Sequence, residues 1–273
     1  MMGLVSSYDL VALDLDGTLL GGDDAISARN ERAIRAALEA GVRVVLVTGR
    51  GIDAPERISR ELGIGLPVIC CHGALTKDFL ADRILGHIPV PLVYAKPMIE
   101  FAELNRLSLA VYIDERFYRL AGGDVFMEDM RGPGWHEVAT FADVLRTAPT
   151  FVRFLGDEAV RAVRTNFSGL PLHFKYETWG SFEECAVTSP LATKKNALAE
   201  LCKSFQIGPK RVLAIGDSRN DVAMLQWAGL GIAMANALPE VLEVITTHTA
   251  SNTEDGVALA IERYVLSSEK KTA

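Results

Sequence analysis

The sequence predicts an α/β protein: a doubly wound, mostly parallel sheet with an inserted α+β domain. Three observations carry this reading. Strand-like and helical patterns alternate near both ends of the 273-residue chain, the strand runs there are apolar on both faces, and residues 85–188 switch to Pro-rich connections and alternating strands.

YDLVALD (8–14) reads as the first strand. A helix follows over 28–40, with Ser27 able to cap it and Gly41 to end it. VRVVLV (42–47) is β-branched and suits a buried parallel strand, so the strand, helix, strand order implies a right-handed crossover. The next helix is predicted over 55–62, with Asp53 as cap, Pro55 in its first turn and Gly63 at its end, and PVICC (67–71) is the strand after it. The pattern returns in a helix over 194–205, the strand RVLAIGD (211–217), a helix over 221–228 and the strand GLGIAM (229–234). Between the halves, Pro89, Pro91 and Pro97 punctuate connections, LAVYIDE (109–115) alternates as a strand, and a strand, helix, strand run extends from Phe151 to Phe174. The expected organisation is a core of 1–84 and 189–273, an inserted domain of 85–188, and a frayed C-terminal SSEKKTA.

Composition narrows the function classes. The formal charge of −7 is scattered along the chain, which offers no footprint for nucleic acid or an anionic membrane, so an anionic ligand requires positive charge gathered locally. Cys70, Cys71, Cys185 and Cys202 show no CxxC spacing, which suits reduced thiols in a cytosol. No apolar run has transmembrane length, and Asp9, Asp14 and Asp16 interrupt the N-terminal apolar stretch, making it a poor signal peptide. The expectation is a soluble, cytoplasmic protein, monomeric or a small homo-oligomer, with no nucleic-acid or membrane partner.

In open α/β sheets, ligands bind beyond the carboxyl ends of the strands. Four polar segments fall at such ends: D14-L-D16-G-T18, T48-G-R50, H72-G-A and G216-D-S-R-N-D221, joined by Lys194 at the start of a helix. Each alone has a plainer reading as a turn, a cap or a surface lysine. Together they imply one site. Three converging carboxylates, Asp14, Asp16 and Asp217, would repel one another without a cation, and hard oxygen ligands of this kind suit Mg²⁺.

In their order, and with a large insertion between TGR and the lysine, DLDGTLL, TGR, Lys194 and GDSRND resemble the haloacid dehalogenase-like superfamily, and within it the Cof-type phosphatases. GLGIAMANA (229–237) and the final helix fit as well, so the resemblance covers the whole chain. It implies a Rossmann-like core with an α+β cap, and a Mg²⁺-dependent phosphatase acting on a small-molecule phosphomonoester.

On that resemblance, Asp14 would be the nucleophile that forms an aspartyl-phosphate, being already ionised at neutral pH. Asp16 would be general acid and then base, with its backbone carbonyl on the metal. Asp217 and Asp14 would complete the protein's metal ligands, with Asp221 behind them ordering a metal-bound water or Lys194. Lys194, the Thr48 hydroxyl, the Gly49 amide and the Asn220 side chain would face the phosphoryl oxygens. Asp16 also argues for phosphate esters over halides, whose departure needs no proton.

Two positions depart from the family's pattern. Lys195 stands where glycine usually follows the lysine, so a second ammonium adjoins Lys194, which keeps the motif position. His72 replaces the usual asparagine, and is read either as a substrate contact or as a partly buried histidine bonded near the rim. Arg50 is read as anchoring its loop. Substrate choice is expected to come from the inserted domain, with Tyr112, Arg116, Trp135, His136, Glu137, Lys175 and Glu184 as candidates on a lid, the plainer reading for most of them being an ordinary surface or cap-core place. Other readings are a phosphotransferase, such as a sugar phosphomutase on the same core, and a catalytically silent metabolite-binding protein.

Overall fold

The structure, a computed structural model, describes residues 6–22, 24–122, 134–179 and 181–267. In chain order the first half contains β1 (Leu10–Leu13), α1 (Ala28–Glu39), β2 (Arg43–Leu46), α2 (Asp53–Leu62), β3 (Val68–Cys70), β4 (Leu75–Asp78), β5 (Arg83–His87), α3 (Leu92–Leu104), β6 (Leu109–Ile113), β7 (Arg116–Leu120) and β8 (Trp135–Val138). The second half contains β9 (Phe151–Leu155), α4 (Asp157–Phe167), β10 (His173–Trp179), β11 (Phe182–Thr188), α5 (Lys194–Ser204), β12 (Val212–Gly216), α6 (Val222–Trp227), β13 (Leu230–Ala233), α7 (Pro239–Val244) and α8 (Gly256–Ile261).

These elements form two compact units. One is drawn from Met1–Arg50, Ala54–Gly86 and Thr193–Ala273, the other from Gly51–Asp53 and His87–Ala192. The first unit is built on a parallel sheet of order β13-β12-β1-β2. β1 lies inside it, and all four of its residues are buried, as a strand apolar on both faces requires. A parallel bridge between Val47 and Ile69 leads on to β3, which pairs antiparallel with β4. The chain enters α1 through Ser27, whose hydroxyl accepts from Asn30 N–H at 3.1 Å, and leaves it through Gly41 at φ +80°. Leu198, Leu201 and Cys202 of α5 and Met224 and Leu225 of α6 pack with Leu10, Ala12, Val212 and Ala214 from the sheet. The order of parallel strands places the ends of β1, β2 and β12 side by side, and this is where the polar segments leave the sheet.

The second unit is a six-stranded sheet of order β10-β11-β9-β6-β7-β8. Val111, Ile113, Val152, Phe154, Cys185 and Val187 alternate onto one face and pack against Met98, Ile99 and Ala102 of α3 and Val160 and Val163 of α4. Register places Lys175, Ala186, Arg153, Ala110, Arg119 and Glu137 across the opposite face. Buried Glu184 and half-buried Arg153 form a bidentate pair there, both bonds at 2.6 Å. Tyr112 is enclosed against Phe117 and Phe151, and its hydroxyl oxygen accepts from Ile52 N–H at 3.1 Å. Tyr112 and Glu184 are therefore internal to this unit.

Other expectations are revised. The residues around Pro91 and Pro97 form α3 rather than a connection: Pro91 precedes its first turn, and Pro97 lies inside it. An interior proline costs about 3 kcal/mol, which is offset here by burial of Ala95, Met98, Ile99 and Ala102. α2 begins at Asp53, so that residue is helical rather than a cap. The short strands β4 and β5 and helix α7 lie outside the elements that the sequence pattern predicts. The compact units divide after Gly86 and before Thr193, and the turn from Ser189 to Ala192 stays with the second. From residue 268 on, the tail expected to fray lies outside the described residues. Among the described residues no helix is long and apolar enough to cross a membrane.

Candidate active site

Asp14 follows β1 directly. Its N–H is held by Ile215 O at 3.1 Å, and only 3% of the residue is exposed. Gly17 stands in the turn after it at φ +74°, and a Cβ there would lie 2.4 Å from Asp217 Oδ2, so both backbone angle and space demand glycine. Thr18 then donates its hydroxyl to Asp217 Oδ1 at 2.7 Å, tying the loop after β1 to the loop after β12. Asn236 braces the same turn by donating Nδ2 to Gly17 O at 2.8 Å.

Lys194 opens α5, and Thr193 caps that helix by accepting from Asn196 N–H at 3.1 Å. Lys194, 2% exposed, donates its ammonium to Asp14 Oδ1 at 2.6 Å and to Asp221 Oδ1 at 2.8 Å. Lys195 is only partly buried, and its ammonium bonds to Asn196 Oδ1 at 3.4 Å. The structure thus brings Lys194, and not Lys195, among the carboxylates. Asp221 is fully buried; its Oδ2 accepts from the N–H groups of Asp217 at 3.2 Å and Ser218 at 3.1 Å. One aspartate therefore shapes the loop after β12 and holds the lysine.

Thr48 leaves β2 buried, its N–H on Ile69 O at 2.8 Å and its hydroxyl oxygen accepting from Arg50 N–H at 3.1 Å. His72 sits at φ +59° with its N–H on Thr48 O at 3.0 Å. Its ring lies against Gly49, where any Cβ would come within 2.4 Å of the imidazole. Asn220 Nδ2 donates to His72 Nδ1 at 3.2 Å. His72 is thus a nearly buried, bonded histidine beside Gly49 and Asn220.

Asp14, Asp217 and Asp221 offer carboxylate oxygens within 4.8 Å of one another. The Asp16 carboxylate is not among them; it faces Arg50 instead. Three carboxylates against one ammonium leave two negative charges when all are ionised. Burial, reinforced by the Asp221 charge, pushes the Asp14 carboxyl well up from its ordinary value despite Lys194. The same two causes raise Asp217 from 3.8 to about 6. Burial works against the Lys194 charge, but Asp14 and Asp221 outweigh it and keep the ammonium protonated. The chain's own groups leave the cluster short of positive charge. A hard divalent cation fits that donor set and that deficit.

This electrostatic excess has a measurable consequence. The raised folded-state value of Asp217 means the folded chain holds the proton more tightly than the unfolded one. That stabilisation is complete below about pH 4 and is lost as pH rises through about 6. Without divalent cations, the thermal midpoint of the wild type relative to Asp217→Asn should therefore fall between about pH 4 and pH 7. Saturating Mg²⁺ should remove the slope. A flat difference in the metal-free protein would contradict the reading of the cluster.

Residues 11–261 match the family of haloacid dehalogenase-like hydrolases. The Bacillus subtilis (strain 168) 5-amino-6-(5-phospho-D-ribitylamino)uracil phosphatase YcsE is 30% identical over 260 residues, covering 94% of this chain and 96% of the relative. The Escherichia coli (strain K12) pyridoxal phosphate phosphatase YbhA is 27% identical over 275 residues, covering 94% and 98%. A crystal structure of a haloacid dehalogenase-like hydrolase from Bacteroides thetaiotaomicron superposes with a TM-score of 0.82 at 25% identity, over 94% of this chain and 99% of that one. The chain belongs to the haloacid dehalogenase-like hydrolase family. Within it the chain is an enzyme of the phosphoric monoester hydrolase class.

Proposed function

We propose that the protein is a Mg²⁺-dependent phosphatase that hydrolyses a small-molecule phosphomonoester through an aspartyl-phosphate on Asp14. The observation that carries this is the buried group of Asp14, Asp217 and Asp221 built around the Lys194 ammonium. Mg²⁺ would be held by Asp14, Asp217 and the Asp16 main-chain carbonyl, with Asp221 behind them, and would supply positive charge to the phosphoryl oxygens.

In this reading Lys194 holds one oxygen of Asp14, which orients the other toward phosphorus. The Asp14 carboxylate attacks phosphorus, and the bond to the ester oxygen breaks. Asp16 gives that oxygen a proton, then takes one from the water that cleaves the acyl-phosphate, which returns Asp14 and releases phosphate. The Thr48 hydroxyl oxygen accepts from Arg50 N–H, and its own hydrogen is available as a donor. That hydroxyl, the Gly49 N–H, the Asn220 amide, the Lys194 ammonium and the His72 ring serve the phosphoryl oxygens, whose charge grows in the transition state.

Named activities of the relatives, on pyridoxal phosphate and on 5-amino-6-(5-phospho-D-ribitylamino)uracil, support a phosphorylated cofactor or metabolite as substrate, with sugar phosphates in the same class. The division into a core of 1–84 and 189–273 and an inserted domain of 85–188 belongs to the same proposal, with chemistry in the first and choice of ester in the second. The four cysteines are buried, which supports a reducing cytoplasm. The test is phosphate release across a panel of phosphorylated sugars, vitamins and cofactors, with Mg²⁺ and then with excess chelator. Release from at least one ester, lost on chelation and restored by Mg²⁺, is expected. Full turnover in chelator would overturn the metal dependence, and rearranged phosphoesters without free phosphate would overturn hydrolysis.

A further inference from the structure

Resting on the acid–base role proposed for Asp16, we infer that Arg50 is a positioning residue that aims the Asp16 carboxylate. The loop carrying Arg50 is secured by its main chain: Arg50 N–H donates to Thr48 Oγ1 at 3.1 Å, and Arg50 O accepts from Cys71 N–H at 2.9 Å. The guanidinium instead reaches the loop after β1. Nε donates to Asp16 Oδ1 and Oδ2, each at 3.0 Å, and Nη2 donates to Oδ1 at 2.5 Å. Nη2 also donates to Asp24 Oδ1 at 2.7 Å, so the fork is itself held from a second side.

Asp16 needs such a hold more than its neighbours do. Its side chain is 35% exposed, whereas those of Asp14 and Asp221 are 4% and 0% exposed and locked by Lys194. A half-open aspartate can visit several rotamers, and a planar fork with fixed donor directions selects one of them. Oδ1 takes two of the three hydrogen bonds from Arg50, which leaves Oδ2 with more lone-pair capacity for the proton it exchanges. A lysine at position 50 could supply charge but not this geometry.

The experiment compares kcat/KM for p-nitrophenyl phosphate, whose phenolate leaves without a proton, with that for an alkyl ester such as glycerol phosphate, whose alkoxide requires one. Arg50→Met is expected to lose about tenfold or more on the alkyl ester and no more than about threefold on the aryl ester. Arg50→Lys should fall between wild type and Arg50→Met. Asp24→Asn, which removes the exposed second anchor of the fork, should shift the ratio in the same direction by less. Thermal midpoints identify any variant that is merely unfolded, and Asp24→Asn carries the test if Arg50→Met is.

Asp16→Asn separates the two layers of the argument. If it shows the leaving-group dependence while the Arg50 and Asp24 variants lose equally on both esters, or lose nothing, the positioning role is overturned. If Asp16→Asn itself shows no such dependence, the acid–base assignment fails and takes this inference with it.

Discussion

Asp14→Asn should lower phosphate release by about 10⁴-fold or more, the scale seen when a nucleophile is removed from a covalent mechanism. The loss should not come with a loss of fold. Asp14 is buried beside Asp217 and Asp221, and burial and those charges push its carboxyl toward the neutral form. An amide of the same shape removes one charge from a crowded cluster and retains an acceptor for Lys194 Nζ. The variant is therefore expected to melt no lower than wild type in metal-free buffer while being inactive, as when a charged active site is held together at a cost in stability. Calorimetry beside the activity assay checks both halves. Substantial turnover in this variant would remove Asp14 as nucleophile.

Lys194→Ala should have the opposite effect on stability. Two carboxylates, Asp14 and Asp221, would lose their shared cation inside the protein, and breaking a buried pair in this way costs about 3–5 kcal/mol. Turnover should fall by about 10²–10³-fold or more, as when a preorganised donor is removed from a developing charge. Lys195→Ala should stay within a few-fold of wild type in rate and show little change in melting, because among the described residues its ammonium bonds only to Asn196 Oδ1, at 3.4 Å. Denaturant unfolding and steady-state kinetics on the two alanine variants check the ranking. Equal effects, or a larger one at Lys195, would show that the wrong lysine had been placed at the phosphoryl group.

The contrast between the two lysines shows where sequence reasoning reaches its limit. Helical phase alone leaves Lys194 and Lys195 within reach of the same apolar positions; the cap at Thr193 and the first turn of α5 separate them. Features set by local chemistry were readable in advance. Ser27 and Gly41 bound α1, the apolar runs of β1 and β12 became neighbouring parallel strands, and the carboxylates that follow those strands converge because parallel strands end on one side. What escaped notice depends on contacts distant in sequence. Nothing in the spacing of Arg50 and Asp16, 34 residues apart, announces a bidentate pair. The role of Thr18 as the tether of Asp217 is equally silent, although both belong to quoted motifs. Pro97 misled in a different way, since tertiary burial of one helix face outweighed its local preference. The acidity of Asp14 could not be read from residue type, because burial and the neighbouring charges decide it.

Arrangement of Asp14, Lys194 and the carboxylates makes one claim central: phosphorus is attacked by the protein before it is attacked by water. Stereochemistry at phosphorus tests this in the wild-type enzyme without a trapped intermediate. An ester made chiral at phosphorus with oxygen isotopes is hydrolysed in isotopically labelled water, and the configuration of the released phosphate is determined. Two successive in-line displacements, first by Asp14 and then by water, predict overall retention of configuration. Inversion would mean a single direct attack by water and would contradict the account.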